Sequence, residues 1–327
     1  MAKITVLGTG TWGIALARLL ANNSHEVCAW SKIEAELEML QKTGVHPKLP
    51  SVTLPDNIKY EKDLAVACKD AQIIIMAVPS PFVRAVAHEA SKYITNQIIV
   101  DVAKGIEKES CKTLSEVIAE ELPSARIVVL SGPTHAEEVA IDMPTTIVSA
   151  SKDAFAAQEV QKVFSTKTFR VYTNDDVVGV EMCGALKNII ALATGISEGL
   201  GFGDNAKAAI ITRGVAEIKR LGSRMGCNES TFAGLAGIGD LVVTCTSKHS
   251  RNNKAGILLG KGYSANKAIE EVGMVVEGIN ALPAAIELSK KYSIELPIIS
   301  AVNGIVEGNI LPTDAIKILM QRELTNE

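Results

Sequence analysis

The most informative stretch of this chain is Gly8-Thr9-Gly10-Thr11-Trp12-Gly13, which follows the apolar run ITVL at 4–7 and precedes the helical pattern IALARLLA at 14–21. Gly8 suits a tight turn out of a strand, and Gly10 has no Cβ to keep the backbone away from a pyrophosphate. Gly13 allows close packing of helix on strand, so that free N–H groups at the helix start can hold phosphate oxygens. The stretch therefore predicts a dinucleotide-binding domain. The alternative is an ordinary strand–turn–helix corner, which rarely needs three glycines.

Length and composition indicate a globular protein of two domains. The chain has 327 residues, and single cores stop growing at about 250 to 300 residues. Hydrophobic residues make up 47% and charged residues 21%. The formal net charge of -4 gives no electrostatic reason to expect nucleic acid as a partner. An anionic ligand must therefore be met by local basic groups.

The cysteines and the start of the chain predict a soluble cytoplasmic protein. The six cysteines are scattered and form no CxxC motif, as is typical of reduced thiols. The first residues, MAKI, run directly into a predicted strand, which leaves no room for a signal peptide. We find no apolar run approaching the ~18 residues that a membrane span needs.

The pattern along the chain divides it into an α/β part and a helical part. Apolar runs rich in Ile and Val recur up to residue 176, separated by amphipathic stretches, which is the βαβ pattern of a parallel sheet with helices on both faces. The runs lie at 27–30, 73–78, 98–102, 127–130 and 146–150. From residue 177 helical spacing dominates. We predict a Rossmann-type doubly wound parallel sheet over residues 1–176, followed by a mainly α-helical domain over 177–327 that carries the substrate site.

The end of the second predicted strand bears on the choice of cofactor. NAD-specific sites usually place an acid there, about 20 residues beyond the glycines, to hold the ribose 2'-hydroxyl. Here the strand ends in Trp30-Ser31-Lys32. A hydroxyl followed by a cation suits a 2'-phosphate better, so the sequence favours NADP(H). The alternative is that Lys32 is solvated at the start of the helix 33–41, and Glu34 leaves NAD(H) open.

Two lysines are candidates for the chemistry. Lys187 lies beside Asn188 in the apolar helical stretch MCGALKNIIAL at 182–192, where a lysine is costly to bury unless it has partners. The pair is a candidate for proton transfer by the lysine with orientation by the asparagine amide. The alternative for Lys187 is a snorkelling side chain at a helix edge. Lys104 follows the strand 98–102, and ligands gather beyond the carboxyl ends of parallel strands.

Two further segments could meet an anionic substrate. Ser250-Arg251-Asn252 places side by side a hydroxyl, a guanidinium and an amide, which together can bind a phosphate or carboxylate. The alternative is that the segment is a polar helix cap with a solvated arginine. Ser131-Gly132-Pro133-Thr134 follows the strand 127–130 and could present N–H groups and a hydroxyl, or be a plain turn with Thr134 as the helix cap. The histidines and acids show no metal-binding spacing, so we predict no metal site.

Taken together, these segments resemble the bacterial-type NAD(P)-dependent sn-glycerol-3-phosphate dehydrogenases. The resemblance implies reversible reduction of dihydroxyacetone phosphate to sn-glycerol 3-phosphate, the precursor of glycerophospholipids. It runs essentially end to end, through GTGTWG at 8–13, VAKGIE at 102–107, SGPTHAEEVA at 131–140, GALKNIIALATG at 184–195, GFGDNAKAAIITRG at 201–214, GLAGIGDLVVTCTSKHSRN at 234–252 and VVEG at 275–278.

The resemblance also implies roles for individual residues. Beside the glycines, the dinucleotide would be bound by Thr11, Trp12, Lys32, Lys104, Ala136, Arg251, Val275 and Glu277. The substrate would be bound by Lys104, Gly132, Thr134, Lys187, Asp240, Ser250, Arg251 and Asn252, with Lys187 as proton donor and acceptor. In the mechanism that we expect, Asn188 also binds the substrate, and together with Asp240 it orients Lys187 and the substrate hydroxyl. We expect a small-molecule substrate, neither nucleic acid nor a membrane span, and keep a homodimer open as the assembly.

Two positions depart from the family pattern. The family often has His or Arg where Lys32 stands, and it commonly carries Asn-x-x-Tyr-Leu-Pro-Gly where this chain reads VHPKLPS at 45–51. A cofactor contact from that tyrosine is therefore not expected here. Two other functions remain as alternatives: a β-hydroxyacid dehydrogenase, which acts on carboxylates, and a dinucleotide-sensing regulator, which would bind the cofactor without turnover.

Overall fold

The computed structural model describes residues 1–324, so residues 325–327 at the end of the predicted helical domain lie outside the described chain. The chain divides into two compact units. The first comprises Met1–Lys104 and Lys112–Glu181, and the second comprises Gly105–Cys111 and the chain from Met182 onwards. The segment Gly105–Cys111, which begins inside the VAKGIE motif at 102–107, belongs to the helical unit.

The first unit contains one eight-stranded sheet in the order β3-β2-β1-β4-β5-β6-β7-β8. All neighbouring strands are parallel except β6 and β7, which are antiparallel. The strands are β1 (Lys3–Leu7), β2 (Glu26–Trp30), β3 (Ile58–Glu61), β4 (Ile73–Met76), β5 (Ile98–Asp101), β6 (Arg126–Ser131), β7 (Thr145–Ala150) and β8 (Phe169–Asn174).

Helices cover both faces of this sheet. Successive residues of β4 point to opposite faces, so Ile73 and Ile75 belong to one hydrophobic cluster and Ile74 and Met76 to the other. The first cluster is completed by α1, α2, α6 and α7, and the second by α3, α4 and α5. The helices are α1 (Thr11–Asn22), α2 (Glu34–Thr43), α3 (Leu64–Cys68), α4 (Val83–Ala90) after the 3₁₀ turn Ser80–Phe82, α5 (Leu114–Glu121), α6 (Ala136–Val139) and α7 (Ala154–Phe164).

The predicted Rossmann-type sheet followed by a helical domain is confirmed, with differences in detail. The strands β3 and β8 were not expected, and β7 runs against its neighbour β6. Parallel neighbours need a crossover helix. The connection between β6 and β7 holds only α6, a helix of 4 residues that packs against α1.

The second unit is built of helices around α8 (Val177–Gly199). Small residues allow α8 and α12 to approach closely, because a Cβ on Gly195 would lie 2.1 Å from the carbonyl oxygen of Asn253. This approach brings the polar start of α12 against the middle of α8. The following helices are α9 (Asp204–Arg224), α10 (Glu229–Phe232), α11 (Asp240–Thr246) after the π-helical turn Leu235–Gly239, α12 (Arg251–Gly260), α13 (Ala265–Val272), α14 (Glu277–Lys291), α15 (Pro297–Val306) and α16 (Pro312–Met320).

One helix in the described part of the chain, α8, is long and apolar enough to cross a membrane. Of its most apolar 18-residue window, 89% is buried inside the protein. Such burial is typical of the central helix of a domain.

Candidate active site

Two of the three glycines of the opening stretch, Gly8 and Gly13, have steric reasons within the chain to be glycine. Gly8 has a φ of +121°, and a Cβ there would lie 2.6 Å from the carbonyl oxygen of Ala77. A Cβ on Gly13 would lie 2.2 Å from the carbonyl oxygen of Gly8, so α1 packs directly on the turn. By contrast, a Cβ on Gly10 would meet no described heavy atom within 4 Å. Gly10 thus borders open space at the start of α1.

The surroundings of Gly10 fit a bound phosphate. Gly10 is the N-cap of α1 and provides no side-chain cap, so the first N–H groups of the helix are left for a ligand. The hydroxyl oxygen of Thr11 is buried and has no hydrogen-bond partner among residues 1–324. Trp12 is half-buried beside it. An unsatisfied buried hydroxyl next to free N–H groups is what the pyrophosphate of a dinucleotide would complete, and this role of Gly8, Gly10 and Gly13 stays a prediction.

At the end of β2 the structure brings in an acid that sequence reasoning missed. The hydroxyl of Thr9 donates to Oε2 of Glu36 over 2.8 Å, and the hydroxyl of Ser31 donates to the same oxygen over 3.3 Å. Lys32 is 60% exposed and pairs with Glu89 at 2.5 Å. Glu36 lies six residues beyond Trp30, in the first turn of α2, rather than at the strand end where an acid was sought.

The segment 45–51, which departs from the family pattern, contributes His46 to the same region. His46 is buried, and its Nδ1 accepts the N–H of Lys48 over 3.1 Å. Burial lowers the pKa of His46, the charge of Lys48 lowers it further, and the charge of Glu36 and the backbone of Thr9 oppose both. A neutral imidazole therefore stands beside the glycine stretch.

Three residues of the first unit that are predicted to bind cofactor or substrate lie together, because two of them donate hydrogen bonds to the carbonyl oxygen of the third. Nζ of Lys104 donates to the oxygen of Gly132 over 3.1 Å, and the hydroxyl of Thr134 donates to the same oxygen over 3.2 Å. The alternative interpretation of Thr134 as a helix cap is wrong, because His135 occupies the N-cap of α6. Ala136 is the first residue of that helix.

Two buried acids of the first unit were not singled out from the sequence. Asp101, at the end of β5, is fully buried, and its Oδ1 accepts the N–H of Ala103 over 3.0 Å. Burial raises its pKa well above the usual range, and the charge of Glu181 adds to the rise. Burial raises the pKa of Glu181 to about 7, against hydrogen bonds from Ser115 and Thr113. The signal was Asp101 within the apolar run IIVD, where an acid must be neutral or hydrogen-bonded.

In the second unit Lys187 is buried and ion-paired. Its Nζ lies 2.5 Å from Oδ1 of Asp240 and 2.6 Å from the hydroxyl oxygen of Thr244. The Lys187 side chain is 7% exposed and that of Asp240 is 0% exposed. The alternative of a snorkelling lysine is therefore wrong. A lysine held in this way can present a proton to a ligand without moving its own counter-charge.

Asn188 and Asn252 are joined to each other beside this pair. Nδ2 of Asn252 donates to Oδ1 of Asn188 over 2.9 Å, and its Oδ1 accepts the N–H of Gly278 over 2.9 Å. Nδ2 of Asn188 donates to the carbonyl oxygen of Gly184 over 3.2 Å. Asn252 thereby ties the starts of α12 and α14 to α8. Glu277, the first residue of α14, precedes Gly278 and is half-buried, as is Val275.

The remaining predicted residues lie at the start of α12. Ser250 is its N-cap and accepts the N–H of Asn253 over 3.2 Å. Arg251 is exposed. The cap is therefore present, as the alternative interpretation has it, and the substrate-binding roles of Ser250 and Arg251 stay predictions. Within residues 1–324 no group of three or more His, Cys, Asp or Glu side chains could hold a metal ion.

Comparison with known proteins decides the family. The family model for the N-terminus of NAD-dependent glycerol-3-phosphate dehydrogenase matches residues 3–157, and the model for the C-terminus matches residues 176–317. The chain belongs to this family. The resemblance read from the sequence is thus confirmed.

Among these dehydrogenases, the chain is 57% identical to glycerol-3-phosphate dehydrogenase (NAD(P)+) 2 of Lactobacillus delbrueckii subsp. bulgaricus, over 100% of this chain and 99% of the relative. It is 50% identical to glycerol-3-phosphate dehydrogenase (NAD(P)+) of Bacillus subtilis, over 100% and 96% of the two chains. Its fold matches the crystal structure of glycerol-3-phosphate dehydrogenase from Coxiella burnetii with a TM-score of 0.94, at 37% identity over 98% and 99% of the chains.

Proposed function

We propose that this chain reversibly reduces dihydroxyacetone phosphate to sn-glycerol 3-phosphate with NADH or NADPH. The observation that carries the proposal is the buried ion pair of Lys187 and Asp240 in a member of this dehydrogenase family. A buried lysine held by an acid and a hydroxyl suits a proton donor at a carbonyl oxygen. The product would supply the backbone of glycerophospholipids.

Lys187 is the proton donor of the proposed reaction. A dinucleotide held by the glycine stretch would supply the hydride that reduces the C2 carbonyl group of the substrate. Negative charge then grows on the carbonyl oxygen, and Nζ of Lys187 both stabilises that charge and delivers a proton to it. In the oxidative direction the same nitrogen takes the proton from the C2 hydroxyl.

Asp240 and Thr244 position the lysine. The Asp240 carboxylate, at 2.5 Å, compensates the buried charge of the ammonium, and the Thr244 hydroxyl fixes a second direction at 2.6 Å. An ammonium group has three protons. One of these protons would pass to the substrate oxygen in the proposed reaction.

The start of α12 is assigned to the substrate phosphate. Arg251 offers a planar guanidinium that can make two parallel bonds to phosphate oxygens. Asn252 uses one amide proton for Asn188 and keeps a second one. Ser250 orients this turn as its cap. Binding of the phosphate, which takes no part in the chemistry, would fix the carbonyl for reaction.

The first unit is assigned to the dinucleotide. Gly8, Gly10 and Gly13 with the hydroxyl of Thr11 fit its pyrophosphate, as the open space and the unsatisfied oxygen indicate. The other assignments to cofactor or substrate follow from the family resemblance and from the contacts described above. They are Trp12, Lys32, Lys104, Gly132, Thr134, Ala136, Val275 and Glu277.

The assay that tests the function follows the absorbance of NADH and NADPH, in parallel, after addition of dihydroxyacetone phosphate. We expect NADH or NADPH to be oxidised with this substrate and not with the keto forms of a panel of hydroxy acids. Turnover of those acids instead would favour a β-hydroxyacid dehydrogenase, and tight binding of dinucleotide with no turnover would favour a regulator.

We also propose the cytoplasm as the location and a homodimer as the assembly. All six cysteines are free thiols, which suits a reducing compartment. Sedimentation of the purified protein measures the assembly, and a monomer at assay concentration would exclude the dimer.

A further inference from the structure

We propose that Glu36 selects the cofactor of this enzyme, by accepting the ribose 2'-hydroxyl of NADH and repelling the 2'-phosphate of NADPH. The inference rests on the proposed dinucleotide site of the first unit and deepens it. It reverses the preference for NADP(H) that Trp30-Ser31-Lys32 suggests in the sequence.

The position of Glu36 suits recognition of the adenosine ribose. In this fold the adenosine ribose is recognised where the second strand ends, next to the glycine stretch. Ser31 directly follows β2, and Thr9 lies between Gly8 and Gly10. Both hydroxyls donate to the same oxygen of Glu36, over 3.3 and 2.8 Å. The carboxylate is therefore tied to the strand end and to the glycine stretch at once, where an NAD-binding protein needs its acid.

Glu36 has a carboxylate oxygen left to accept a hydrogen bond from a ribose hydroxyl. Both bonds are accepted by Oε2, and Oε1 accepts none from the residues that the structure describes. An ionised carboxylate has acceptor sites only, so it can take a bond from a ribose hydroxyl but offers nothing to a phosphate. The side chain is half-buried, which limits the screening of its charge.

The lysines near Glu36 are paired with other acids, so they do not neutralise its charge. Lys32 is paired with Glu89 at 2.5 Å, and Lys62 is paired with Glu34. Glu36 itself contacts only neutral hydroxyls among residues 1–324 and forms no ion pair there. Its negative charge is thus left to act on a ligand, while the cation that the sequence offers to a 2'-phosphate is already engaged. Like charges at close range weaken binding.

The test measures the dissociation constants of NADH and NADPH by calorimetry, without substrate, for the wild-type protein, Glu36→Gln, Glu38→Gln and Lys32→Ala. Glu38 is exposed on the same helix, so Glu38→Gln removes the same charge without the contacts to Thr9 and Ser31. Glutamine at 36 keeps an acceptor for both hydroxyls, and thermal melts of each variant check that it is folded.

We expect Glu36→Gln to weaken NADH binding and to strengthen NADPH binding, each by about tenfold, because a charged acceptor is lost and a repulsion is removed. Glu38→Gln should leave the ratio of the two constants within about twofold of wild type. Lys32→Ala should change both constants by similar factors.

An unchanged ratio in folded Glu36→Gln, or the same shift in Glu38→Gln, would overturn the proposal. So would a selective loss of NADPH binding in Lys32→Ala with no effect at Glu36. Because binding is measured without substrate, a wild-type protein that binds NADH but does not reduce dihydroxyacetone phosphate would contradict the proposed function and not this assignment.

Discussion

Replacing Lys187 with alanine should damage stability and catalysis by separate amounts. The substitution leaves the carboxylate of Asp240, which is 0% exposed, without its counter-charge. Breaking a buried ion pair in this way costs about 3–5 kcal/mol, so the free energy of unfolding should fall by that amount. Loss of a positioned proton donor should lower kcat by roughly 10²- to 10⁴-fold. Dinucleotide affinity should change little, because the predicted dinucleotide-binding glycines are untouched.

Two controls separate these effects. Lys219 pairs with Glu229 at 2.8 Å in the same unit, but the side chains are 45% and 64% exposed, so Lys219→Ala should cost no more than about 1 kcal/mol and leave kcat unchanged. Adding Asp240→Asn to Lys187→Ala removes the stranded charge and should recover part of the stability but none of the activity.

Urea unfolding and steady-state kinetics with dihydroxyacetone phosphate provide both readouts. Lys187 is not the proton donor if Lys187→Ala keeps more than half of the wild-type kcat. The buried ion pair does not stabilise the fold if the free energy of unfolding of Lys187→Ala falls no further than that of Lys219→Ala.

Three other results are expected. Gly10→Ala should keep the wild-type melting temperature, because no described heavy atom lies within 4 Å of the added Cβ, yet it should bind NADH at least about tenfold more weakly. Gly8→Ala should lower the melting temperature, because the φ of Gly8 is +121°. Unchanged NADH binding by Gly10→Ala would contradict this. Burial raises the pKa of Glu181 from 4.5 to about 7, so the folded protein binds a proton more tightly than the unfolded chain does. The free energy of unfolding should therefore fall by about 3 kcal/mol in all as pH rises through that range, and by less in Glu181→Gln. Equal free energies of unfolding in urea at about pH 5 and about pH 8 would refute this. Arg251→Lys should lose kcat/KM with dihydroxyacetone phosphate but not with dihydroxyacetone, which lacks the phosphate, and equal losses would exclude Arg251 from the phosphate site.

Much of the fold could be predicted because its signals are local. Gly8, Gly10 and Gly13 lie close together in one strand–turn–helix unit, where the positive φ of Gly8 and the packing of Gly13 against Gly8 are local requirements. Lys187 could be singled out for the same reason, since a charge inside an apolar helix must find partners.

The parts that escaped prediction depend on contacts distant in sequence. Glu36 looks like any acid in the first turn of a helix until the fold brings Thr9, 27 residues away, to its carboxylate. Asn252 looks like part of a helix start, but it reaches Asn188, 64 residues away, and the N–H of Gly278. The direction of β7 likewise depends on its neighbour β6 rather than on its own apolar pattern.

The most direct test of the central claim compares wild type and Lys187→Ala in one assay, the loss of NADH absorbance on addition of dihydroxyacetone phosphate. We predict rapid oxidation by the wild-type protein, no oxidation with dihydroxyacetone phosphate omitted, and a rate reduced by roughly 10²-fold or more in the variant at saturating NADH. Absence of oxidation by the wild type with both NADH and NADPH, or equal rates in the two proteins, would contradict the account.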